Sequence, residues 1–109
     1  MNTGKQFREA VAQNELLQCL GATTAYHALL AEKSGAKALY ISGGGVSAGS
    51  LGVPDLGIST LNDVAVDVER ICSRISLPVL VDIDTGWGGS FNIARAIKTL
   101  EKAGAAAIH

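Results

Sequence analysis

The chain has 109 residues, 48% of them apolar and 17% charged, with 13 Gly and only 2 Pro. That balance is enough for one small α/β domain with a core and too apolar for a disordered segment. A net charge of −1 offers no basic face to nucleic acid, and no apolar run approaches the roughly 20 residues of a bilayer span, so neither is expected as a partner.

Lys5, Arg8 and Glu9 interrupt any leader-like apolar run, so the expected setting is cytoplasmic. Residues from Lys5 to about Asn14 read as a short amphipathic helix. Leu16 to Ala22 is short and mostly apolar, as a buried strand would be. A helix is expected from about Ala25 to Lys33, with Thr24 as N-cap and Gly35 just past its end. Ala38-Leu39-Tyr40-Ile41 reads as the second strand, and Ser42 to Ser59 as a long glycine-rich loop. Cys19 and Cys72 lack a C-x-x-C spacing and read as reduced core thiols.

The next helix, about Leu61 to Ser73, carries the clearest signals. Thr60 can cap it, Asp63 stands where a capping-box acid would, and Leu61, Val64, Val68 and Ile71 form one apolar stripe. Pro78 to Asp82 reads as a strand covered on both faces. Ser90 is the expected cap of a helix with Ile93, Ile97 and Leu100 facing inward, ending before Gly104. Ala105 to Ile108 opens a fourth strand. The stretch Lys33 to Tyr40 resembles Lys102 to His109, a repeat at 69 residues. That is about two units of a (β/α)8 barrel of roughly 250 residues, although a doubly wound sheet would show the same alternation of elements.

Two segments could carry chemistry. Ser42-Gly43-Gly44-Gly45 follows a strand, and consecutive glycines let backbone N–H groups converge on a carboxylate or phosphate. A nucleotide is not expected, because Gly44 and Gly49 have P-loop spacing but lead into Ser50-Leu51 rather than a Lys. Asp82 and Asp84 stand at i and i+2 at a strand end, where their mutual repulsion favours a cation. Hard oxygen donors of that kind suit Mg²⁺. Gly86 and Ile93 occupy positions where an EF-hand needs acids. Asp55, Tyr40, His27 and Trp87 are weaker candidates, each with a turn-forming or packing role as the simpler reading.

Three stretches, Tyr40 to Val46, Gly49 to Gly57 and Asp82 to Gly88, together resemble the methylisocitrate lyases of the isocitrate lyase and phosphoenolpyruvate mutase superfamily. The resemblance runs from Leu17 onward. It implies a (β/α)8 barrel, of which residues 1–109 would supply a partial domain, the first three and a half units. It implies cleavage of a tricarboxylate, 2-methylisocitrate, to pyruvate and succinate in the methylcitrate route of propanoate catabolism, by a homotetramer. By the same resemblance, Ser42, Gly43 and Gly44 bind the keto-acid part of the substrate, and Asp82 and Asp84 hold Mg²⁺. Asp55 would be a catalytic carboxylate in the metal's outer shell, and the metal would stabilise an enolate of pyruvate. The family's acid after the position of His109 and its Lys-Cys-Gly-His loop fall outside the chain, so the 109 residues alone are expected to be inactive. Isocitrate lyase, phosphoenolpyruvate mutase, oxaloacetate decarboxylase and a non-catalytic piece are the competing readings.

Overall fold

The computed structural model describes residues 2–109. Four strands, β1 (Cys19–Gly21), β2 (Ala38–Ile41), β3 (Val79–Val81) and β4 (Ala107–Ile108), form one parallel sheet in the order β1-β2-β3-β4. A doubly wound sheet changes direction at a switch point between strands, and a sequential order has none. The alternation left open by the sequence therefore resolves to the barrel arrangement: three strand–helix units and a fourth strand.

Helix α1 (Thr3–Gln13) precedes the sheet, and α2 (Ala25–Lys33), α4 (Leu61–Cys72) and α5 (Ser90–Ala103) connect its strands. The Thr24 hydroxyl caps α2 by accepting from His27 N–H, and Gly35 takes a φ of 97° beyond its end. At α4 the capping box is complete, with Thr60 and Asp63 satisfying each other's backbone N–H groups. Its stripe of Leu61, Val64, Val68 and Ile71 is buried as expected. It packs in one cluster with Leu39, Ile41, Val79 and Val81 of the sheet and with Ala96 and Leu100 of α5. Burying each such side chain stabilises the fold by about 1.5–3 kcal/mol.

Only one face of the sheet is packed in this way. Tyr40, Leu80 and Ala107, level with one another across three strands, are half-buried on the other face. The first strand is shorter than expected, and Leu16 is 80% and Leu20 40% exposed, with β1 pairing only with β2 among the described residues. In α5, Gly89 rather than Ser90 occupies the N-cap. The inward positions are Ile93, Ala96 and Leu100, while Ile97 is exposed.

Among the described residues, no helix is long and apolar enough to cross a membrane. Helix α1 closes the end of the sheet where the strands begin. The Thr3 hydroxyl donates to the Ala105 carbonyl at 3.2 Å, and the Gln6 amide donates to the Ser76 carbonyl at 2.6 Å.

Candidate metal and anion site at the strand ends

The strand register builds the site. Ile41, Val81 and Ile108 lie level, so the next row holds Ser42, Asp82 and His109. Backbone bonds from Asp82 N–H to the Ile41 carbonyl and from His109 N–H to the Val81 carbonyl carry the ladder into that row. Side chains alternate along a strand, which puts this row on the same open face as Tyr40.

After β2 the structure departs from the sequence reading. Ser42 to Ser59 is not a loop throughout. A helical turn, α3 (Gly43–Gly45), runs into a π-helix (Val46–Leu51) that Gly52 ends in the left-handed region. The Ser42 hydroxyl caps the turn, accepting from Gly45 N–H at 3.2 Å, and Asp82 Oδ2 accepts from Gly43 N–H at 3.0 Å. Two of the three N–H groups expected to cradle an anion therefore bind the protein itself.

The glycines are needed for closeness rather than for unusual dihedrals. A Cβ on Gly43 would lie 3.1 Å from Asp82 Oδ2, one on Gly44 3.0 Å from Asp55 Oδ2, and one on Gly45 3.0 Å from the Thr23 methyl. Without side chains at 43 and 44, two carboxylates approach the turn from different elements.

The segment after β3 is tightly wound. Asp82 Oδ1 accepts from Asp84 N–H at 2.9 Å, so both oxygens of Asp82 are oriented by backbone donors. Asp84 and Trp87 hold positive φ values of 49° and 60°, and Trp87 packs against the core. A side chain at Gly86 would run into Ile93. Positive φ at a Trp is a strained conformation of the kind that surroundings must hold in place.

Electrostatics follow from this crowding. The Asp84 carboxyl is held above the ordinary range by desolvation first, then by the Asp82 and Asp55 carboxylates. The Tyr40 phenol is raised by burial and by Asp82 and Asp84. A hard cation would relieve that repulsion. Among the described residues, no three His, Cys, Asp or Glu side chains form a ready metal cage. The donor set fits Mg²⁺, which commonly takes one or two carboxylates and completes its shell with water and substrate oxygens.

The structure thus brings Ser42, Gly43, Gly44, Asp55, Asp82 and Asp84 to one rim. It leaves His27 apart on α2, its Nδ1 2.9 Å from the Thr23 hydroxyl. Burial raises both thiols, Cys72 to about 11, and neither approaches the rim carboxylates as a ligand. His109 joins the rim set, its Nδ1 lying 3.4 Å from the Tyr40 hydroxyl. The signal was in the sequence: the repeat that aligns these two residues has the same separation of 69 as the contact.

Comparison with known proteins adds to the geometry. The phosphoenolpyruvate phosphomutase family profile matches residues 7–109. The 2-methylisocitrate lyase of Shewanella oneidensis is 56% identical over 108 residues, covering 99% of this chain and 37% of that protein. The 2-methylisocitrate lyase of Salmonella typhimurium is 58% identical over 107 residues, 97% of this chain and 36% of its own length. A crystal structure of oxaloacetate acetylhydrolase superposes with a TM-score of 0.92 at 32% identity, covering 99% of this chain and 39% of that one. A crystal structure of 2,3-dimethylmalate lyase does so with a TM-score of 0.88 at 35% identity, covering 100% and 39%. The chain therefore spans little more than a third of the length of the relatives it matches.

Proposed function

The chain belongs to the phosphoenolpyruvate phosphomutase family, and from that premise we propose that it serves a Mg²⁺-dependent carbon–carbon lyase cleaving 2-methylisocitrate to pyruvate and succinate. The observation that carries the reading is the pair Asp82 and Asp84 at the end of β3, with Asp82 oriented by two backbone N–H groups beside a side-chain-free turn. Identity of 56–58% to the 2-methylisocitrate lyases of Shewanella oneidensis and Salmonella typhimurium favours this substrate over those of other family members. The reading includes a cytoplasmic homotetramer.

Asp82 and Asp84 would hold the metal, with Asp55 supporting its water shell from across Gly44. When bound, Mg²⁺ supplies positive charge for oxygen atoms whose negative charge grows in the transition state. Asp82 needs little reorganisation for this, since its orientation is already set. The Gly43–Gly44 turn, beside these carboxylates, would receive the keto-acid end of the substrate. Balancing the cleavage corrects one expectation drawn from the resemblance. A base takes the proton of the substrate hydroxyl, that oxygen becomes the carbonyl of pyruvate, and the bond's electron pair stays on the succinate carbon, which then takes a proton. The charge to be stabilised on the pyruvate side is an alkoxide, and the enolate-like charge belongs to succinate.

The test uses this segment in a polypeptide of the relatives' full length, called the complete enzyme below. Asp82→Ala and Asp84→Ala should each lower turnover at least about a hundredfold and weaken Mg²⁺ binding measured by calorimetry. Full activity of both variants in chelator-treated buffer would show the assignment to be wrong.

A further inference from the structure

Asp67 sits in the middle of α4, and no step of the proposed chemistry uses it. It is 7% exposed, on the face that also buries Val64, Val68 and Ile71. A carboxylate there is costly unless it has partners. It has two: the Ser50 hydroxyl donates to Oδ2 at 2.5 Å, and the Arg70 guanidinium lies 3.5 Å from Oδ1.

Ser50 belongs to the π-helix Val46–Leu51, the segment that joins the Gly43–Gly45 turn to Asp55. A π-helical turn is rare and is held by its surroundings rather than by its own propensity. Among the described residues, the Ser50–Asp67 hydrogen bond is the only one that ties a side chain of this segment to another element.

We infer that Asp67 is a positioning residue: through Ser50 it fixes the π-helix, and so holds Asp55 against Gly44 and the Gly43 turn against Asp82. It touches neither substrate nor metal. The kinetic part of the inference rests on the lyase reading, while the conformational part stands apart from it.

The test compares Ser50→Ala, Asp67→Asn and Asp67→Leu in the complete enzyme. Ser50 is on the surface, so its truncation leaves the core intact. Asparagine keeps an oxygen to accept from the Ser50 hydroxyl, and leucine does not. S50A and D67L should lower kcat about tenfold and raise the Mg²⁺ concentration for half-maximal rate, with D67N retaining most of the activity. Amide hydrogen exchange should quicken at residues 46–55 in S50A and D67L and stay unchanged in β2 and β3. A role in stability alone would lower the melting temperature without this local change or the rescue by asparagine. Exchange needs no lyase reaction, so it decides the matter even if the parent enzyme leaves 2-methylisocitrate intact. If D67L fails to fold, S50A decides alone. Unchanged exchange in S50A, unchanged kcat of S50A in an active parent, or a D67N as slow as D67L would overturn the inference.

Discussion

The packed side of the sheet and the rim at its strand ends are held together by different means. On the packed side, α4 and α5 lie on β2 and β3 through aliphatic side chains spaced at the helical repeat, and a capping box closes the start of α4. At the rim there is little apolar stripe to bury. The turn at Gly43–Gly45, the π-helix and the wound segment at Asp84–Gly88 keep their shape through close backbone approach and a few polar bonds between distant residues. The first region can tolerate a polar change at its surface but not a lost methyl group in its core. The second has no place at Gly43 or Gly44 for an added methyl group unless a carboxylate moves.

Substitutions can break this contrast. The largest expected effect on stability lies on the packed side, where Leu100→Ala or Ile71→Ala should lower unfolding free energy by about 2–5 kcal/mol in denaturant titrations of the complete enzyme. A loss below 1 kcal/mol at both would mean that the core is looser than its burial implies. Gly44→Val at the rim should do the reverse. The melting temperature should move by no more than about 2 °C, while product inhibition by pyruvate should weaken about tenfold as the new side chain displaces Asp55. Unchanged inhibition would reduce the turn to a scaffold. Thr60→Ala removes one half of the capping box and should cost about 1 kcal/mol, read by the same denaturation curve, with kcat unaltered.

The smallest effect sharpens the contrast through pH. Asp84 has a raised carboxyl in the folded state, so the native chain binds its proton more tightly than the unfolded chain. Stability without metal should therefore fall as pH rises from the ordinary carboxylate range through Asp84's elevated value. Asp84→Asn should flatten that slope, and Mg²⁺ should abolish it in the parent. A metal-free parent with no such slope would show that the crowding at the rim is relieved by solvent.

How far each region could be read from sequence follows the same division. Ala25–Lys33, Ala38–Ile41 and the capping box at Thr60 and Asp63 were legible because periodicity and caps are local properties. The glycine run reads as a loop in sequence because glycine lacks helical propensity. Its helical form depends on Ser42, on Asp82 of another strand and on Asp67 of another helix, and none of these contacts is local. Spacing alone points Ile97 inward, whereas Ile93, Ala96 and Leu100 take the inner face. The carboxylates Asp82 and Asp84 were legible as a pair. That Asp55 approaches through the missing side chain of Gly44 was not.

The placement of α1 has a consequence for the order in which the molecule is made. Each strand of the sheet pairs with the one synthesised just before it, so β1, β2 and β3 can assemble while the ribosome is still working. Helix α1 is the exception. It is translated before the strands, yet its side chains hydrogen-bond to the carbonyls of Ser76 and Ala105. Helix α1 cannot complete its docking until β4 is nearly made, and a nascent chain stalled before Ala105 should leave α1 more open to protease than the sheet behind it.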